Sequence, residues 1–393
     1  MIEIIVYILC VGLLIAAGLY EKKVIKSSVE KIDLRINVNG IRGKSTATRF
    51  ITAILKEAGY RVVGKTTGTS ARMIVWNQED EIPIKRRPVG PNIGEQVSVL
   101  RKSAQMGADA LVCECMAVNP EYQEVYQHQI VQANIVVITN VVEDHLDEMG
   151  PTTDQIAWAF AKTIPYDGIL VITEGKYSNY FRKKAAERNT RVICIDPNII
   201  EHSYLEQFPY ILFPNNCALG LGIAEALGID TEVAKQAMLK ANPDPGVTQI
   251  VRVKSEESAC WLVNAFAANE PTSSLEIWEE IQEDYHYPSE NAVLILCCRD
   301  DRVDRSHQFA VDFLPYVKMK TMILIGTGTM EVLHAYQRGK YPNIEECIDL
   351  TGQHADVIIK EVQERMCKNV VFCAGNIHGI AENFLAEFAD ITI

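Results

Sequence analysis

No C-x-x-C pair occurs among the 11 cysteines, and none of their spacings resembles a zinc site. An odd count without paired spacing argues against a disulfide framework. It fits small buried thiols in a reducing compartment. The chain has no internal repeat and no low-complexity tract. Positive charge is in short supply: 38 Lys and Arg stand against 51 Asp and Glu, a net charge of −13. A field of that sign opposes nucleic-acid binding but leaves room for a local basic pocket. With 48% hydrophobic and 23% charged residues, the chain is not largely disordered, collagenous or coiled-coil. Its 393 residues suffice for two to three domains. A mean hydropathy of +0.01 is high for a soluble enzyme, so an apolar excess sits somewhere.

Part of it sits at the N-terminus, where charge is missing from Ile4 to Tyr20, a run of 17 residues. That is the short end of what spans a bilayer. Lys22, Lys23 and Lys26 follow, which orients the body toward the cytoplasm by the positive-inside bias. A membrane anchor ranks first, a buried helix second and a cleaved signal peptide third. Ala16-Ala17-Gly18 offers a cleavage site, but Glu3 stands where a signal peptide carries Lys or Arg.

Beyond this segment, short β-branched runs alternate with helical stretches. Strands are expected at Leu34–Val38, Ala110–Cys113, Ile135–Thr139, Ile169–Ile172 and Val192–Ile195. Helices are expected near 44–58, 94–106, 121–132, 152–163, 176–189, 216–227 and 231–241. This is the pattern of a parallel sheet covered on both faces. Asn242-Pro243-Asp244-Pro245-Gly246 breaks it as a linker. Further strands are expected at Trp261–Phe266, Ala292–Leu296, Met322–Ile325 and Val370–Cys373. The expected fold class is α/β: an anchor over 1–21, a central domain over 30–245 and a smaller Rossmann-like domain over 246–393.

Three features carry chemistry. The first is Gly40-Ile41-Arg42-Gly43-Lys44-Ser45-Thr46, placed between a strand and a helix. Glycine-loop and helix N-terminal amides point at phosphate oxygens. Lys44 would reach the β- and γ-phosphates, and Ser45 would place its hydroxyl on Mg²⁺. The long P-loop would need glycine at position 38, where Val38 stands, so this loop is a shorter G-x-x-G-K-S-T. The second is Glu114, at a strand's carboxyl end beside that loop, where it could bind Mg²⁺ directly or through water. The third is Asn140 through Asp147, in which His145 lies between Asp144 and Asp147 after another strand. It is a candidate for a metal or phosphate contact.

Together these resemble the Mur ligase superfamily of ATP-dependent amide ligases, over residues 34–380. The family's G-T-x-G-K-[ST]-[ST] loop is similar to Gly40–Thr46. Its strand-terminal metal Glu corresponds to Glu114, and its N-x-x-x-D-H-x-D segment to Asn140, Asp144, His145 and Asp147. The resemblance makes Asn216 the adenine contact and sets Arg302, of the pair Asp301-Arg302, on the nucleotide phosphates or ribose. Lys44, Glu114, His145 and Arg302 become the catalytic set, with Ser45, Glu114 and His145 as metal ligands and ATP with Mg²⁺ as cofactors. Asn264–Ser273 is loosely similar to a D-Y-A-H-x-P loop, without its Asp and His. Lys162 is a candidate for a carbamylated lysine, although another alignment places Phe160 there.

The family's UDP-sugar domain has no room before Gly40. Gly64–Thr69, Gly90–Glu95, Glu114–Pro120 and Asp301–Arg305 resemble the ligase branch that makes poly-γ-glutamate. That branch implies glutamate and poly-γ-glutamate as substrates, acyl-phosphate chemistry, membrane partner subunits, a homo-oligomer and no nucleic acid. Arg302 would close the site if the linker acts as a hinge. Thr67, Thr69 and Arg72 could border the phosphates or acceptor carboxylates, or form a plain turn, and Arg42 and Lys65 could face the acidic polymer or simply be solvated. A folylpolyglutamate synthetase-like ligase and a P-loop ATPase of an export assembly remain the alternatives.

Overall fold

In the computed structural model two β-sheets organise the chain. The structure describes residues 2–67, 71–84, 93–143, 146–205, 207–208, 210, 212–243, 248–254, 259–268, 270–283, 289–366 and 369–391. By internal contacts the chain divides into residues 1–207 with 212–245, and 208–211 with 246–393.

The first unit opens with a 28-residue helix, α1 (Ile2–Val29). A window of it reaches a mean hydropathy of 2.3 with none of that window buried. The helix does not stop at the end of the apolar run. It continues through the lysines, and its last turns enter the body, with Ile25 and Ser28 buried. Arg35 caps the helix end, its guanidinium donating to the carbonyls of Val29, Ile32 and Asp33. A cation at a helix C-terminus is worth about 0.3–1 kcal/mol.

The strands of this unit are β1 (Leu34–Asn39), β2 (Val62–Lys65), β3 (Arg72–Val75), β4 (Ile82–Pro83), β5 (Ala110–Glu114), β6 (Ile135–Ile138), β7 (Ile169–Thr173) and β8 (Arg191–Ile195). They form one sheet in the order β4-β3-β2-β5-β1-β6-β7-β8. From β2 to β8 every pairing is parallel; β3 and β4 extend one edge in antiparallel pairing. Ile36, Val38, Ala110 and Val112 pack on one face against α2 (Lys44–Glu57). Cys113 and Cys115 face the other side, toward α3 (Glu95–Gln105). Period-two alternation on strands buried on both faces makes both sets apolar.

The second unit holds β9 (Gln249–Lys254), β10 (Ala259–Asn264), β11 (Val293–Cys298), β12 (Met319–Gly326), β13 (Ile344–Asp349) and β14 (Val370–Gly375), in the order β13-β12-β11-β14-β10-β9. Among the described residues of this sheet, β9 and β10 pair antiparallel and the other pairings are parallel. Two cores flank the sheet, one around Trp278, Phe313 and Phe372, the other around Phe266, Phe384 and Phe388.

Candidate nucleotide and metal site

β1 runs straight into the glycine loop, and α2 begins at Lys44. Two loop residues have conformations that favour glycine. Gly40 has φ +129°, and a Cβ there would lie 2.1 Å from Thr139 Oγ1. Gly43 has φ +74°, and a Cβ there would lie 2.5 Å from Asn216 Oδ1. Neighbouring side chains therefore press directly on the loop. Asn140 Oδ1 accepts from the amides of Ile41 (3.3 Å) and Arg42 (3.0 Å), and Thr139 Oγ1 donates to Arg42 O at 2.7 Å. The segment after β6 is thus the loop's outer clamp.

Lys44 turns back on its own loop, with Nζ donating to Gly40 O (2.8 Å) and Ile41 O (2.7 Å). Ser45 is buried at the first turn of α2, and its Oγ donates to Glu114 Oε2 at 2.9 Å. The same oxygen accepts the Thr67 amide at 2.6 Å. Lys44, Glu114, Thr67, Met116 and Val118 line, with Gly40, a cavity of about 200 Å³. Two features expected from separate parts of the chain, the Lys-Ser pair and the strand-terminal carboxylate, thus meet.

The donor set suits a hard cation. A hydroxyl and a carboxylate 2.9 Å apart are oxygen ligands, and Mg²⁺ takes one or two carboxylates plus phosphates and water. Among the described residues no group of three or more His, Cys, Asp and Glu gathers. Asp144, His145 and Thr69 lie outside the described residues. Arg72 begins β3, opposite Pro83 of β4, and its carbonyl accepts the Thr66 amide at 3.0 Å.

Asn216 is buried against Gly43, whereas its neighbour Asn215 lines a cavity of about 180 Å³ with Asn140, Thr173 and Glu174. Lys65 is not the solvated surface residue that was one reading of it: it is completely buried, and its Nζ stands 2.9 Å from Glu95 Oε1. Lys162 is half exposed and stands 3.9 Å from Glu124. Phe160 is buried in the core.

In the second unit, Arg302 ends the short turn Asp300–Arg302 after β11 and is exposed. The ion pair beside it joins Arg299 to Asp301 at 2.6 Å. A cavity of about 380 Å³ at the carboxyl ends of β11 and β12, lined by Arg299, Thr327, Gln353 and His378, had no sequence signal. The carboxyl ends of parallel strands are where such sheets bind ligands.

Burial controls the thiols behind the site. Cys113 is pushed up to about 12 and Cys115 to about 11, chiefly by desolvation. Tyr126 is likewise held well above its usual value by burial.

Comparison with known proteins places this geometry. Residues 38–206 match the Mur ligase middle domain, and residues 250–391 match the poly-gamma-glutamate synthase CapB C-terminal domain. The PGA synthase CapB of Bacillus subtilis (strain 168) is 48% identical over 386 residues, covering 98% of each chain. The capsule biosynthesis protein CapB of Bacillus anthracis is 48% identical over 374 residues, covering 95% of this chain and 80% of its own. Among solved structures, E. coli FolC in complex with DHPP and ADP superposes with a TM-score of 0.65 at 18% identity, over 94% of this chain and 92% of its own. MurF from Acinetobacter baumannii gives 0.59 at 13% identity, over 94% and 79%. At such identities the structural likeness speaks for the fold alone.

Proposed function

The chain belongs to the CapB family of poly-γ-glutamate synthases, and from that premise we propose how its residues divide the work. It is an ATP-dependent ligase acting on glutamate. A carboxylate of the growing polymer attacks the γ-phosphate of ATP, giving an acyl phosphate and ADP. The amine of glutamate then attacks the acyl carbon, phosphate leaves, and an amide remains. Such chemistry asks the protein mainly for positioning and charge neutralisation.

The loop amides from Gly40 to Thr46 and the N-terminus of α2 receive the phosphates. Lys44 exchanges its two loop carbonyls for the β- and γ-phosphate oxygens. Ser45 and Glu114 would hold Mg²⁺, with His145 as a further candidate ligand; when bound, such an ion would supply positive charge beside the phosphates. The Thr67 amide keeps Glu114 aimed at Ser45. Asn216 supports the loop from the side, and Arg302 is assigned to the nucleotide's phosphates or ribose.

The apolar part of α1 serves as a single membrane span, with Lys22, Lys23 and Lys26 on the cytoplasmic side. One span makes no polymer pore, so multi-span partner subunits belong to this reading, as does self-association of the chain.

The observation that carries the reading is the Ser45–Glu114 contact at the mouth of the glycine loop. Lys44→Ala should abolish ATP-dependent glutamate polymerisation while the protein stays folded and membrane-bound. Normal polymer yield from that variant would refute the assignment.

A further inference from the structure

Four buried amide side chains lie beneath the phosphate loop. Asn37 and Asn39 are two apart on β1 and so share a face. Opposite them stand Gln123, on α4 (Pro120–Val125), and Gln127, on the π-helical turn Tyr126–Val131 that continues it. Two strand residues span roughly 6.6 Å and four helical residues roughly 6 Å, so the two spacings match. The amides meet as two rungs. Asn39 Nδ2 donates to Gln123 Oε1 at 2.9 Å, and Asn37 Nδ2 donates to Gln127 Oε1 at 2.9 Å. All four are at most 1% exposed.

The rungs differ in what lies beyond them. Asn39 Oδ1 accepts the Gly40 amide at 2.9 Å, and Gln123 Nε2 donates to Val118 O at 2.8 Å. Gly40 and Val118 both line the cavity that holds Lys44 and Glu114. The other rung ends at Ala133 O, 2.9 Å from Gln127 Nε2, and Ala133 does not line that cavity. One rung therefore ties the loop's first glycine to the wall that follows Glu114. The other has the same amide pair and the same burial but touches neither, and its Asn37 Oδ1 accepts no hydrogen bond.

We propose that Asn39 and Gln123 form a positioning relay for the phosphate loop. Gly40 has φ +129°, and the direction of its amide decides how the next peptides present their N–H groups. Asn39 fixes that amide, and Gln123 fixes Asn39 against the Val118 carbonyl. The relay rests on the reading that this loop binds ATP.

The matched rungs supply the test. In the full-length chain, Gln123→Met and Gln127→Met each remove two buried hydrogen bonds with little change of shape. Both should lower Tm by similar amounts. Only Gln123→Met should raise the KM for ATP and the Kd for ADP, by about tenfold, with kcat nearly unchanged. An unchanged KM in Gln123→Met, or equal shifts in both variants, overturns the relay. If Gln123→Met does not fold, Gln123→Glu, assayed at a pH where it is ionised, keeps an acceptor for Asn39 and sets a carboxylate oxygen against the Val118 carbonyl in place of the donor. It should raise KM in the same direction, and an unaltered KM again overturns the proposal. Lys44→Ala separates the two levels. ADP binding that survives it refutes the loop assignment and the relay together. ADP binding lost in Lys44→Ala but unchanged in Gln123→Met refutes the relay alone.

Discussion

Replacing Gly40 by Ala strikes the loop where two constraints coincide. A non-glycine residue at positive φ costs roughly 1–2 kcal/mol. The new methyl would also lie 2.1 Å from Thr139 Oγ1 and 2.9 Å from the Thr139 backbone nitrogen. The hydroxyl can rotate away only by giving up its bond to Arg42 O, worth about 1 kcal/mol. The backbone nitrogen belongs to the chain leaving β6 and cannot yield cheaply, so overpacking adds about 1–3 kcal/mol. The combined cost, about 3–6 kcal/mol, is relieved most easily by shifting the loop itself. At about 1.4 kcal/mol per tenfold, kcat/KM for ATP should fall by 100-fold or more. Gly59→Ala is the comparison. Gly59 has φ +88° but no heavy atom within 4 Å of a built Cβ, so it carries the backbone cost alone and lies at the far end of α2. It should lower Tm modestly and leave kinetics unchanged. Steady-state ATP kinetics and ADP binding, read beside thermal melts, decide the matter. Gly40→Ala within threefold of the parent, or an equal kinetic loss in Gly59→Ala, refutes the reasoning.

Glu114→Gln keeps acceptors for Ser45 and Thr67 but removes the charge, so a loss of about 100-fold in kcat/KM, eased by higher Mg²⁺, is expected in a metal titration. Because folding holds the thiols of Cys113 and Cys115 above their ordinary value near 9, the unfolded chain releases protons first as pH rises. Stability should therefore be level at neutral pH and decline above about pH 9; melting curves up to pH 10.5 check this, and Cys113→Ala should flatten the decline. Removing residues 1–20 should leave the melting temperature unchanged and move the protein from the membrane to the soluble fraction. Removing residues 1–29 should destabilise it, because Ile25 and Ser28 are core residues.

Much of this site is legible in the sequence because its signals are local. A strand, a glycine loop and a helix start fall within about a dozen residues around Gly40, and Glu114 declares itself by ending an apolar run. The edge strands were harder to read. β13 carries Glu345 and Glu346 on exposed positions, as an edge strand can, so no apolar run marks it. The burial of Lys65 depends on Glu95, 30 positions away, and strand periodicity does not announce such a partner. The amide rungs are less visible still. Asn37, Asn39, Gln123 and Gln127 look like surface residues until a strand spacing and a helix spacing are laid side by side.

The unbroken course of α1 has a mechanical consequence. A floppy tether would let the body tumble and would confine only its distance from the apolar segment. A continuous rod ending in the core transmits tilt and twist as well. Residues 30–33 join it to β1, with the amides of Glu30, Lys31 and Ile32 bonded back to the carbonyls of Lys26, Ser28 and Val29, and β1 leads directly to Gly40. Each residue added to the rod near Tyr20 would swing the body about 100° around the helix axis and displace it by only about 1.5 Å. The bearing of the loop is therefore encoded in helix phase, a quantity counted in residues rather than in contacts.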